Sequence, residues 1–196
     1  MKKETEITLS VCTSPRWVEA VMGDFDSFLQ DHANCERKAS AMAMSFVAKY
    51  PDRKKIIPAL ITTALEELKH FQQVYRIMEK RGVPLVHEIP EDLYIKQLIQ
   101  LSRNGRDERL LDRLLIAAIV ECRGAERFQI MHEALEDDRL KDFYRRLYES
   151  EINHGNVFLE MARNYFDEPV IQRRLAQLVF EEGKILNGLK LRAALH

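Results

Sequence analysis

Apolar and small residues along this chain recur every three or four positions far more often than every two, which predicts helices throughout. Phe28, Leu29, Ala39, Ala43, Phe46 and Val47 set one face of a helix from about Asp24 to Lys49, where Tyr50-Pro51 breaks it. A second long helix runs from about Asp52 to Arg81, with Gly82 as its C-cap. Pro58 lies in its first turns and marks either the true start or a kink. A third runs from about Asp107 to Leu135. After the tight connection Glu136-Asp137-Asp138 a fourth continues to about Phe166. Shorter helices are predicted from Pro15, with Ser14 as N-cap, to about Met22, and from about Asp92 to Ser102. A last helix follows Asp167-Glu168-Pro169 to about Ala194. Residues 83–91 hold two prolines and read as a loop, and Asn104-Gly105 as a turn. Only residues 1–13 alternate in twos (Ile7, Leu9, Val11), as an arm over the helices would.

The two pairs of long helices have short connections, so each should form an antiparallel hairpin. Two hairpins joined by a longer crossover make an all-α, ferritin-like four-helix bundle with additional short helices. The expected organisation is a single domain over 1–196, with a core bundle at about 24–166 and a packing helix at about 168–195.

Charged side chains interrupt the apolar faces at repeated spacings. Glu67 and His70 form E-x-x-H on the second long helix, and Glu151 and His154 repeat it on the fourth. Residues at i and i+3 share a helix face, so each pair can hold a metal ion. The faces are inward ones: Leu60, Thr63, Ala64, Val74 and Ile77 continue the first, and Tyr144, Leu147 and Phe158 the second. Glu36 lies 31 residues before Glu67, and Glu121 lies 30 before Glu151. Counted from the turns, each glutamate stands level with its E-x-x-H partner. Four glutamates and two histidines supply the donors of a dicarboxylate di-iron site. By the usual arrangement of such sites Glu67 and Glu151 bridge, Glu36 and Glu121 are terminal, and His70 and His154 bind one ion each. Oxygen and imidazole donors suit iron or manganese, and no structural zinc pattern is present. Glu126 rivals Glu121, but sits only 25 residues before Glu151 and so about 7 Å off level. It is either a ligand or an ion-pair residue near the site.

Other residues take plainer readings. His32, one turn before Glu36, is either a hydrogen-bond partner of that ligand or a satisfied core histidine. His132 belongs near a helix end, His87 in a loop, and His196 is C-terminal. Tyr75, Cys35 and Cys122 are expected to be packing residues.

Composition narrows the function. A net charge of −1 supplies no overall basic field for nonspecific nucleic-acid binding, although 30 Lys and Arg leave room for a local patch. Three cysteines (Cys12, Cys35, Cys122) make neither a zinc pattern nor a disulfide framework and read as cytoplasmic thiols. The first ten residues lack the apolar stretch of a signal peptide, and no apolar run approaches a membrane span, so no membrane partner is expected.

Several strings, taken together, resemble the tRNA 2-methylthio-N6-isopentenyladenosine hydroxylase family over roughly residues 15–165. They are Asp31-His32-Ala33-Asn34-Cys35-Glu36-Arg37, Glu66-Glu67-Leu68-Lys69-His70-Phe71, Ile119-Val120-Glu121-Cys122-Arg123 and Glu149-Ser150-Glu151-Ile152-Asn153-His154. The resemblance implies a non-haem di-iron monooxygenase. It would use two iron ions and O₂ to hydroxylate the isopentenyl group of the modified adenosine beside the tRNA anticodon. Electrons would come from an external reductase or ferredoxin-like carrier, since no flavin or nicotinamide motif is present. Candidates for tRNA phosphates are Arg53, Lys54, Lys55, Arg103, Arg106, Arg145 and Arg146. The ligand pattern also serves other ferritin-like oxidases or hydroxylases of small or lipid-like substrates, and iron-storage or peroxide-detoxifying proteins. Spacing leaves the oligomeric state open between monomer and dimer.

Overall fold

The computed structural model describes residues 5–87 and 91–196. Seven α-helices and no strand occur among them: α1 Pro15–Gly23, α2 Phe25–Lys49, α3 Ile57–Arg81, α4 Leu93–Gln100, α5 Arg106–Ala134, α6 Asp138–Arg163 and α7 Glu168–Gly188. Part of the 83–91 loop, residues 88–90, lies outside the described residues.

Two expectations are corrected. α3 begins at Ile57, not Asp52, with Pro58 in its first turn, where proline's missing N–H costs no hydrogen bond. Residues before it form turns. α7 stops at Gly188 rather than near Ala194, and Leu189 follows in extended conformation. The 7–11 segment lies on a helix, α7, as the expected arm would: Ile7 is buried, Ser10 Oγ donates to the Val179 carbonyl (2.9 Å), and a Cβ on Gly183 would come within 2.8 Å of Val11 Cγ2. Gly82 does cap α3, in the left-handed region at φ 71°, where glycine carries no Cβ penalty.

The chain falls into two compact units. One, residues 19–90 with 191–195, is built on the α2–α3 hairpin. Ser40 Oγ donates to the Ala64 carbonyl (2.8 Å), and the Arg81 guanidinium meets Asp26 at 3.0 Å near the open end. Asp24 caps α2 by accepting from Ser27 N (3.2 Å).

The other unit, residues 1–18, 91–190 and 196, holds α4 to α7. α5 and α6 form its hairpin. Asp137 caps α6 by accepting from Arg139 N and Leu140 N (both 2.9 Å), and His132 Nδ1 lies 3.0 Å from the Lys141 carbonyl oxygen across the turn. The two helices approach closely at Gly155, where a Cβ would sit 2.9 Å from Cys122 Sγ and 3.3 Å from the Ala118 carbonyl. Gly155→Val should therefore overpack this crossing and cost about 2–3 kcal/mol in thermal or denaturant unfolding. Adding Cys122→Ala should recover part of that loss; an unchanged midpoint for Gly155→Val would mean the helices separate freely.

Asp112 ties α4, α5 and α7 together. It is fully buried, accepts from the Arg103 backbone N–H (2.8 Å), and takes both guanidinium groups of Arg103 and Arg174 at 2.8–3.0 Å. Burial alone would raise its carboxyl, but the hydrogen bonds from Arg103 and Arg174 outweigh that and hold it below the ordinary aspartate value. A carboxyl depressed in the folded state contributes stability that is complete above its unfolded pKa and lost as pH falls through the folded value. Unfolding followed between pH 6 and 2 should show this acid loss below about pH 4. Asp112→Asn should flatten it while lowering stability at neutral pH.

Candidate metal centre

Helical spacing brings the expected ligands together within each hairpin. On α3, Glu67 and His70 share the buried face with Leu60, Thr63, Ala64, Val74 and Met78. Ile77, expected there, is half-buried, and Met78 takes the inward position. On α2, Glu36 lies inward with Phe28, Leu29, His32 and Ala43. His70 Nδ1 is 3.4 Å from Glu67 Oε2 and 3.6 Å from Glu36 Oε2. All three residues offer donor atoms within 4.8 Å of one another.

The α5–α6 hairpin repeats this arrangement. Glu121, Glu151 and His154 are buried, offer donor atoms within 4.8 Å of one another, and His154 Nδ1 lies 3.6 Å from Glu151 Oε2. Two glycines flank these residues: Gly155 beside His154, where the helices close on each other, and Gly124, whose Cβ would sit 3.9 Å from Glu151 Cγ.

Donors sharing one ion, each about 2.1 Å from it, stand roughly 3–4 Å apart, and the His70–Glu67, His70–Glu36 and His154–Glu151 pairs lie at 3.4–3.6 Å. Each triad also concentrates two carboxylates where water is scarce. A bound cation offsets that cost of several kcal/mol. Oxygen and nitrogen donors without thiolate fit iron or manganese. The flanking cysteines do not compete. Cys35 Sγ lies 3.6 Å from Asp31 Oδ2. Burial pushes the Cys122 thiol up to about 11, the Glu151 charge adds to this, and the Thr5 hydrogen bond only partly opposes it.

Glu126 is engaged elsewhere. Its carboxylate accepts from Thr13 N (3.0 Å) and Thr13 Oγ1 (2.6 Å) and pairs with Arg123. His32 is buried with Nε2 2.7 Å from Glu36 Oε1, so it meets a candidate ligand from behind. Tyr75 corrects the packing expectation: it is exposed, its ring stacked on Phe71 at 6.3 Å.

One buried polar cluster was not expected. Arg123 and Glu182 are both fully buried and paired at 2.8 and 3.0 Å, and the Tyr94 hydroxyl donates to the same carboxylate (2.8 Å). Arg123 also donates to the Val11 carbonyl (2.8 Å). Burial pulls the neighbouring Arg127 guanidinium down to about 10, and that group stacks 5.0 Å from the Trp17 ring. The available signal was the placement of Arg123 and Arg127 four residues apart inside the apolar run of α5.

Among the described residues, no helix is long and apolar enough to cross a membrane. The family described as tRNA-(MS[2]IO[6]A)-hydroxylase (MiaE) matches residues 1–196. The tRNA 2-(methylsulfanyl)-N(6)-isopentenyladenosine(37) hydroxylase of Pseudomonas putida is 38% identical over 170 residues, 87% of this chain and 82% of that protein. Its Salmonella typhimurium counterpart is 32% identical over 123 residues, 63% of this chain and 45% of that protein. A solved Synechococcus protein with aldehyde deformylating oxygenase activity matches at a TM-score of 0.91 and 32% identity, covering 96% of this chain and 94% of that one. The fold is all-α and ferritin-like.

Proposed function

The chain belongs to the tRNA-(MS[2]IO[6]A)-hydroxylase family, and from that premise we propose that it hydroxylates the isopentenyl group of 2-methylthio-N6-isopentenyladenosine beside the tRNA anticodon, as an O₂-dependent non-haem di-iron enzyme. The observation that carries the metal part is the repeated Glu–Glu–His triad, buried in each hairpin. In this reading residues 1–196 act as one domain. Glu36, Glu67 and His70 with Glu121, Glu151 and His154 hold two iron ions. Each hairpin would contribute two glutamates and one histidine as donors.

When bound, two reduced iron ions supply the electrons that activate O₂ for insertion into an unactivated C–H bond. The side chains of this chain bind and shield. His32 fixes the orientation of Glu36 through its 2.7 Å contact. Leu60, Val74, Leu147 and Phe158, all buried on the ligand-bearing faces, exclude water from the reacting centre. Cys122 Sγ faces the Thr5 hydroxyl at 3.1 Å and lies outside both triads. Electrons come from an external reductase or ferredoxin-like carrier, and the enzyme works in the cytoplasm.

The test is iron content together with aerobic turnover of tRNA carrying the prenylated adenosine, with a competent electron donor, read by mass spectrometry of the nucleosides. About two irons per chain and gain of one oxygen atom on the isopentenyl group support the reading. Two irons without that product discard the substrate. No iron after anaerobic reconstitution discards the metal centre.

A further inference from the structure

The basic residues of this chain differ sharply in how they are engaged. Three of the expected phosphate contacts are committed to acids. Arg103 holds Asp112 and Glu108, Arg145 holds Asp142 and Glu149, and Arg146 holds Asp142. On α3, in contrast, Lys69, Gln73, Arg76 and Lys80 are all exposed. They follow one another at i, i+4, i+7 and i+11, the spacing of a single helix stripe. Lys69, Arg76 and Lys80 make no ion pair among the described residues.

This stripe occupies the solvent side of the same helix whose inner side carries Glu67 and His70. Lys69 directly precedes His70, and Gln73 lies one turn beyond it. Of the six candidate ligands His70 is the most exposed, at 9% against 5% or less for the others. A second exposed stripe adjoins the first: Ile61, Leu65, Leu68 and Tyr75, again at helical spacing. A cationic row beside an apolar row that ends in an exposed aromatic ring matches a strand of nucleic acid whose phosphates and unstacked bases are offered side by side.

We propose that the outer face of α3 is the surface on which the tRNA anticodon loop docks. Lys69, Arg76 and Lys80 contact phosphates, and Tyr75 stacks on a loop base. Charge complementarity selects this occupant, because a second copy of the chain would set the same unpaired cations against each other. The inference rests on the tRNA reading above and adds the face that serves it.

The test compares wild type with K69Q/R76Q/K80Q and, separately, Y75A, using tRNA carrying the prenylated adenosine. Each lost phosphate contact removes roughly one unit from the slope of log affinity against log salt. The triple variant should therefore lose about two to three units of slope and bind at least about tenfold more weakly at physiological salt. Y75A should weaken binding by about fivefold to a hundredfold with the salt slope unchanged. Iron content and helicity should match wild type in both. R145Q/R146Q should bind as wild type does. Wild-type tRNA affinity and salt slope in the triple variant would overturn the docking face while leaving the substrate reading intact. A wild-type protein that binds no tRNA would overturn both. Loss in the triple variant of adhesion to anionic phosphatidylglycerol vesicles, with tRNA binding unaltered, would reassign the face to a membrane surface.

Discussion

Glu67→Ala and Glu151→Ala should each reduce iron from about two ions per chain to fewer than about one, with helical content unchanged. Both residues sit on the buried face of a long helix, beside the histidine three positions on and within 4.8 Å of a second glutamate. Stability supplies an independent readout of opposite sign. Without metal, each triad crowds two carboxylates in a site of little water, and deleting one relieves repulsion and desolvation. Metal-free Glu67→Ala should thus unfold at the same temperature as metal-free wild type or higher. Added ferrous iron should raise the wild-type midpoint and leave the variant's nearly still. Wild-type iron stoichiometry in both variants would refute the ligand assignment.

Arg123→Ala should lower stability by about 3–5 kcal/mol, and Glu182→Ala by a similar amount, because either change strands a charge that has no access to water. For a chain of this length that is a fall of roughly 6–20 °C in Tm. Replacing both together, as Arg123→Met with Glu182→Leu, should cost much less than the sum, since neither fully buried charge is then left alone and the half-buried Glu126 keeps its hydrogen bonds from Thr13. The double variant should still lose the contacts to Tyr94, Thr13 and the Val11 carbonyl. A strictly additive cycle would show that the two side chains are stabilised separately.

The parts of this molecule governed by local periodicity could be read from its sequence. The spacing of Glu67 with His70, and of Glu151 with His154, fixes a shared helix face whatever surrounds it. Distance from a turn placed Glu36 and Glu121 level with those pairs, because short connections leave a hairpin little freedom of register. The same logic disfavoured Glu126, which the structure ties to Thr13 and Arg123. Less legible were features that depend on contacts between distant segments. Pro58 offered a start and a kink, and only the turns before Ile57 decide between them. Residues 7–11 alternate like a strand but find no strand to pair with among the described residues, and α7 offers them Gly183 instead. The pairing of Arg123 with Glu182 spans 59 positions and leaves no periodic trace. Tyr75 reads as core because aromatic residues usually are, yet its place on the helix turns it outward.

The N-terminal arm has a consequence for how the interior of its unit can be reached. Its Thr5 hydroxyl lies 3.1 Å from Cys122 Sγ, and Ile7 and Thr13 are buried farther along. Cys122 stands next to Glu121 in the chain and against Gly155 across the hairpin. The arm thus covers the Cys122 thiol, fastened by a few hydrogen bonds and two buried side chains. Cys12 on the same arm is exposed and Cys122 beneath it is not. Alkylation of Cys122 therefore requires the arm to lift, while Cys12 reacts without it.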